Sequence, residues 1–501
     1  MSGAERIHDV VVVGAGPGGS SAAAFLAREG LDVLVIDRSE FPRDKVCGDG
    51  LTPQAIYWLD QLGCADEVMA QTEACIRDCD LFINGQRLLT GGFPTGTAYP
   101  DFAILLDRRR FDDTLLRNAI AQGARFEGGS ILRELQVGRD NVDLACQAGT
   151  GTKIHRGRIV IGADGVSSTV SRAIGNRLKT GAMALSLRAY YRDVECEGAQ
   201  IKVYFDRDYF PGYGWLFVDD KGFANVGLGY AVDPNFRMPG KLAVDFRRFL
   251  ERELGSMLRH ATACGPPSGG SAAFFKPNRI LADRIMLVGD AANHADPLNG
   301  GGIHKAMESA FFAAETAVAA LETGDCSREG LRAYERRWGE HVGFDWQTAE
   351  LFLTIAKNPH LRDFCLFTLT QIGRLTDADR QFQEFCSGVF SGALSQSICL
   401  SPRALYHAFP KDPRVWRAMF AAEGGTVLGP LRIARGAAQS LGTAGIEMAR
   451  EPLASLDWGI EVATKAVRLV QRGVAETPGK TQPAGVPPEI LQQRGRGAAL
   501  A

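Results

Sequence analysis

The sequence predicts an α/β fold: one domain on a parallel sheet, a second on an antiparallel sheet interleaved with it, and a helical C-terminal region. Three observations carry this. Residues 9–38 run as apolar strand, glycine-rich turn, small-residue helix and second apolar strand. Two later apolar runs, at 159–161 and 285–288, also end in acid–glycine turns, so the parallel sheet is assembled from separated pieces. Between them, Gln200–Phe205, Gly214–Val218 and Ala224–Gly229 have strand-like alternation, which suits an antiparallel sheet.

The first element is the most specific. Val10 to Val13 lead straight into Gly14-Ala15-Gly16-Pro17-Gly18-Gly19, a G-x-G-x-x-G. Gly14 permits the tight turn, Gly16 lets backbone approach a pyrophosphate, and Gly19 lets the helix pack close to the sheet. The helix N-terminus adds free N–H groups and partial positive charge. Asp37 closes the next strand, about 20 residues on, where an acid accepts hydrogen bonds from a ribose. With Arg38 beside it, it completes this end of a dinucleotide site.

Beyond this unit, strands are expected at Cys79–Ile83, Phe102–Leu106, Ile131–Val137 and Val142–Gln147, with a helix over Phe111–Gln122. Asp164-Gly165 and Gly289-Asp290 form the later turns. The second continues through Pro297-Leu298-Asn299-Gly300-Gly301-Gly302-Ile303 into a helix beginning near His304. The expected organisation is a discontinuous cofactor domain (1–180 and 276–330), an antiparallel-sheet substrate domain (181–275) and a helical region (331–475). A polar, Pro/Gly-rich tail (476–501) is expected to be disordered.

Composition narrows the class. The formal net charge of -2 gives no basis for a nucleic-acid partner. No apolar run reaches the length of a membrane span, and the N-terminus lacks the basic start and apolar core of a secretory signal. The 11 cysteines form no C-x-x-C pairs. No metal site is expected, and reduced thiols in a cytoplasm are.

Taken together, the three glycine motifs resemble the flavoprotein monooxygenase and oxidoreductase class with the p-hydroxybenzoate hydroxylase fold. The resemblance implies FAD. Asp290, with Gly289, matches the carboxylate that holds the flavin ribitol, and Asp164 packs against the nucleotide. The stretch after Pro297 (Gly300, Gly301, Gly302, Ile303) brings backbone N–H groups to the flavin ring, and Arg108 matches an arginine near the cofactor. No second G-x-G-x-x-G is present, so NAD(P)H must dock transiently or a reduced carrier protein must supply electrons.

Two shorter matches set the branch. Lys45-Val46-Cys47-Gly48-Asp49-Gly50-Leu51-Thr52-Pro53 resembles the K-x-C-G-x-x-L-x-P signature of the geranylgeranyl reductase family. Tyr213-Gly214-Trp215-Leu216-Phe217 resembles that family's cavity signature, Y-x-W-x-F-P, and Asn225–Gly229 its continuation. The resemblance spans roughly residues 8–410, including Leu400-Ser401-Pro402-Arg403. It implies that Cys47 and Gly48 sit near the flavin, that Tyr213 and Trp215 line the cavity, and that Cys47 or Tyr213 is placed to donate a proton. Three positions depart from the family: Val218 replaces a proline, Gly301 an acid and Asn293 a glycine. Halogenases of this fold carry W-x-W-x-I-P here, so Tyr213 and Val218 disfavour that chemistry. His294 and His304 are expected to be structural.

The expected activity is therefore flavin-dependent reduction of a hydrophobic, polyunsaturated small molecule. An oxygen-using monooxygenase and a non-catalytic electron carrier are the alternatives. In the helix over 455–472, Leu456, Ile460, Ala463, Val467 and Val470 share one side, and Lys465, Arg468 and Arg472 another. That pattern suits packing on the helix's own domain or a peripheral membrane contact.

Overall fold

The computed structural model describes residues 6–475 except 73, 179–182, 233–240, 275–278, 401 and 423–427. The tail expected at 476–501 and Ser401 of the late family match therefore lie outside the described residues.

The first sheet has eight strands. Its centre is parallel: Ile7–Val13 lies between Val33–Ile36 and the end of Gly151–Gly162, and the latter pairs with Ile285–Leu287. Val10, Val11 and Val12 are completely buried, and the helix Pro17–Arg28 packs on this sheet through Ile7–Val13 and Val33–Ile36. Ser130–Val137 and Val142–Ala148 extend it as an antiparallel meander. The helix Pro17–Arg28 packs on the helices Arg108–Ala121 and Ile303–Thr323. Its run of alanines, with Gly18 against Ala306, allows that close approach.

The second sheet also has eight strands, with Met183–Arg192, Ala224–Ala231, Tyr213–Val218 and Gln200–Phe205 in succession. One face packs on Leu242–Arg252 through Phe246 and Phe249. The boundary expected at 181 needs a correction, since this sheet also takes Asp78–Ile83 and Gln86–Gly92. Asp78–Ile83 joins Gln200–Phe205 in parallel, Ile201 opposite Cys79. A pairing between strands so distant in the chain leaves no periodicity to read.

The helical region follows. Arg362–Ala378 packs on Gln86–Gly92, so it covers the far edge of the second sheet. Pro452–Ala475 lies on Arg332–Ala356, and Leu428–Arg450 lies on Arg362–Ala378. The helix packs on its own domain, and Lys465, which the spacing groups with Arg468 on one side, is separated from that exposed arginine. Lys465 turns inward to Glu350 (3.2 Å), because a carboxylate waits on the helix beneath. Among the described residues, no helix is long and apolar enough to cross a membrane.

Candidate functional site

The cradle begins where Ile7–Val13 ends. Gly14 has φ +104, and a Cβ there would lie 2.4 Å from the Ala163 carbonyl oxygen. At Gly19 a Cβ would fall 1.7 Å from the Gly14 carbonyl oxygen. Gly16 differs: a Cβ there would meet only Arg43 Nη2, at 3.7 Å. The protein itself does not need glycine at 16, so the space over its backbone fits a ligand. The helix that follows has no side-chain cap and no acid in its first turn, leaving its N–H groups to an anion. Asp37 is pinned at the strand end, accepting from Ala15 N (2.7 Å) and Ser39 N (2.8 Å), with Arg38 exposed beside it.

Asp164 accepts from Ser168 Oγ and from Thr169 N (2.6 Å), so its carboxylate caps the helix Thr169–Ala173 while its backbone packs against Gly14. Asp290 opens a turn after Gly289 (φ +57), with Lys45 Nζ 3.3 Å from its Oδ2. The loop from Pro297 leads through Gly300 (φ +72), Gly301 and Gly302 to a second helix, Ile303–Thr323. It too has neither side-chain cap nor acid in its first turn. Two uncapped helix starts, both fed from the parallel sheet, suit the phosphate and ring ends of a dinucleotide.

This loop is held from behind. Asp296 accepts from Leu298 N (2.7 Å) and Gln396 Nε2 (2.8 Å). Asn299 Nδ2 donates to the Phe390 carbonyl (2.9 Å), and Gln54 Nε2 to that of Ser391 (2.8 Å). Beneath lies a buried cluster in which Glu308 meets Lys305 (2.8 Å) and His341 (2.6 Å). Burial alone would raise the Glu308 carboxyl, but these two partners outweigh it and hold it well below its usual range.

Opposite the loop stands the second sheet. Tyr213, Trp215 and Phe217 share one face of their strand, while Leu216 and Val218 enter the core beneath. The Cys47–Gly48 loop comes against this aromatic row, with a Cβ at Gly48 falling 2.8 Å from Phe217. Trp215 Nε1 donates to Asn225 Oδ1 (2.9 Å); Asn225 Nδ2 donates to the Cys47 carbonyl (2.7 Å) and to Asp49 (2.8 Å). Tyr190 donates to the same Asp49 carboxylate (2.5 Å). Burial pushes Asp49 up to about 6 despite these bonds. Sequence reasoning missed Asp49, Tyr190 and this use of Asn225; an asparagine inside a strand was the available signal.

Tyr213 Oη donates to the Asn299 carbonyl (3.0 Å), so its proton is committed to the glycine loop rather than left free. Burial, then Cys47 and Asp296, push its phenol up to about 12. Arg108 is no solvated helix-start residue. It is 3% exposed and forks onto Asp112 (2.7 and 2.6 Å), and Asp112, then Cys47, keep its guanidinium charged despite burial. Asp112 also receives Arg43 (2.6 Å).

The three departures have local causes. Asn293 sits at φ +53, a left-handed position that asparagine tolerates better than most residues. A Cβ at Gly301 would lie 2.6 Å from His304 and 2.7 Å from Asn299 Oδ1, leaving an acid no room. Val218 pairs with Gln200 and Ala224 and is fully buried, where a proline would remove a ladder donor. His304 is buried beside Thr52, and His294 stacks on Trp338 at 4.1 Å. Burial pushes both imidazoles down to about 3, so both are neutral.

A fingerprint cradle, a carboxylate at each end and a glycine loop at a helix start define a flavoprotein oxidoreductase. Residues 8–224 match the FAD binding domain family. Across 418 residues the chain is 31% identical to a digeranylgeranylglycerophospholipid reductase of Methanothrix thermoacetophila, covering 79% of this chain and 97% of that protein. It is 33% identical to a menaquinone reductase of Mycobacterium tuberculosis, covering 64% of this chain and 78% of the relative. In fold it is similar to a geranylgeranyl bacteriochlorophyll reductase-like protein from Thermoplasma acidophilum. There the TM-score is 0.64 at 23% identity, with 82% and 98% of the two chains covered. The chain belongs to the geranylgeranyl reductase family of FAD-dependent oxidoreductases.

Proposed function

We propose that this protein saturates carbon–carbon double bonds of a hydrophobic, polyprenyl-bearing substrate, drawing electrons from NAD(P)H or a reduced carrier protein. FAD would be held by Gly14, Gly16, Gly19 and Asp37 at the adenosine end, and by Asp290 and the Pro297–Ile303 loop at the ring end. Once reduced, the flavin supplies hydride. The observation that carries the reading is the aromatic wall of Tyr213, Trp215 and Phe217, pressed on the Cys47–Gly48 loop. Such a wall orients an apolar chain and excludes water.

Protonation of the second carbon falls to Cys47. Tyr213 is committed to Asn299, Asp49 accepts from two donors and Arg108 is forked onto Asp112. Relatives named for a digeranylgeranylglycerophospholipid and for menaquinone support a hydrophobic substrate. A substrate of that kind partitions into bilayers, so the enzyme works as a peripheral membrane protein.

The test is a single turnover without oxygen. Holoenzyme reduced with dithionite and given digeranylgeranylglycerophospholipid or menaquinone is expected to reoxidise and yield product heavier by a pair of hydrogens. Product that forms only with oxygen, and carries its isotope, overturns the reductase reading in favour of a monooxygenase.

A further inference from the structure

The two last described helices turn apolar side chains to solvent. On Pro452–Ala475 the polar groups face inward: Trp458 Nε1 donates to the Thr354 carbonyl (2.9 Å), and Lys465 Nζ to Thr354 Oγ1 (2.7 Å). Lys465 also meets Glu350 (3.2 Å) and Glu461 (2.6 Å). The outer side carries Leu453, Leu456, Ile460, Val467 and Val470, each between 55% and 77% exposed. With Ala463, also exposed, they recur in steps of three and four residues and make one continuous stripe. Leu428–Arg450 also exposes apolar side chains, with Leu428, Leu431, Leu441 and Ile446 between 46% and 64% exposed. The pair lies over the helices Arg332–Ala356 and Arg362–Ala378, so these stripes form an outer layer. Exposed apolar rows of this extent mark an interaction surface.

Charge selects the partner. Among the described residues, the exposed cations on the two helices are Arg432, Arg435, Arg450 and Arg468. The exposed acids are Asp457 and Glu451, the latter turned toward His360 (3.4 Å). On Leu428–Arg450 the acid is Glu447, half-buried and paired with Arg450 (2.5 Å). A second copy is a poor match, because a two-fold contact lays the same patch on itself and sets one cationic surplus against the other. We propose that this face lies on an anionic lipid surface, the leucine, isoleucine and valine side chains in the acyl boundary and the arginines among the headgroups. The inference rests on the helices alone, and a lipid-borne substrate gives it a use.

The experiment is cosedimentation of full-length holoenzyme with vesicles of phosphatidylglycerol and phosphatidylcholine in equal parts, or of phosphatidylcholine alone. The wild type is expected to pellet with the anionic vesicles and to be released by high salt. Leu456→Glu with Ile460→Glu should weaken binding at least about tenfold, because the apolar contact is lost. Arg435→Gln with Arg468→Gln should weaken it about twentyfold at low salt, roughly fivefold per arginine. Flavin content and circular dichroism should match wild type in both, since these side chains face solvent. Wild type that stays in the supernatant overturns the proposal. So does a wild-type dimer that Leu456→Glu with Ile460→Glu turns into monomer, which would make the face a self-association surface. Neither result touches the reductase reading, which the anaerobic turnover decides separately.

Discussion

On the cradle side of the site the chain works through backbone; on the facing side it works through side chains. Gly14, Gly19 and Gly289 are set by what a Cβ would strike, and the two helix starts offer N–H groups that no side chain caps. The facing wall depends on Trp215, Asn225, Asp49 and Tyr190 holding one another across three strands and a loop. A fault in the cradle should therefore remove the flavin or the fold, and a fault in the wall should spare both.

The largest effect that would sharpen this contrast is at Gly19. Gly19→Ala forces a Cβ against main chain and should cost about 3 kcal/mol or more. Little soluble, flavin-loaded protein should then be recovered. Trp215→Ala comes next: it empties a buried indole site and leaves Asn225 Oδ1 without its donor, for about 3–5 kcal/mol by thermal melt. The protein that does fold should still carry flavin. If Trp215→Ala lost its flavin while folded, the division between cradle and wall would be broken.

Gly16→Val should do the opposite. The space there is open to the protein, so the apo fold should keep its melting temperature while flavin absorbance disappears and FAD no longer raises stability. A yellow Gly16→Val protein would place the pyrophosphate elsewhere.

Asp49 supplies a pH signature confined to the wall. Burial raises its carboxyl from the ordinary 3.8 to about 6 in the fold. Its contribution is thus fully present below about 3.8 and lost as pH rises through about 6, because the native state binds the extra proton in that window. Asp49→Asn keeps an oxygen to accept from Tyr190 and Asn225. It should raise the melting temperature relative to wild type at pH 8 and change little at pH 4. The smallest effect is expected for Tyr213→Phe. It removes one bond to Asn299, about 1 kcal/mol, with flavin retained.

The same division governs what the sequence reveals. Gly14 to Gly19 and Asp37 are legible because a steric requirement of the backbone leaves few residue types to choose from. Cys47, Gly48, Tyr213 and Trp215 were found by family resemblance, and the structure brings them to one wall although about 165 residues separate the two motifs. Asp49 and Tyr190 stayed hidden, since an aspartate in a turn and a tyrosine in a strand each have a commonplace local explanation. Asp78–Ile83 was legible as a strand but not as a neighbour of Gln200–Phe205. The spacing groups Lys465 with Arg468, and its partner, Glu350, was not legible because it lies on another helix.

The amides that hold the glycine loop from behind have a consequence for building chimeras of this protein. Asn299 and Gln396 tie residues 296–299 to the 390–396 segment, through the Phe390 carbonyl and the Asp296 carboxylate, and Gln54 holds the same segment by the Ser391 carbonyl. The C-terminal helices are in that respect no detachable accessory. A swap of the region after residue 330 for that of a relative would transplant half of a latch, leaving Gln54, Asn299 and the Asp296 carboxylate to find new partners. Grafts should succeed when the 390–396 segment is kept with its own loop, and fail in flavin retention when it is not.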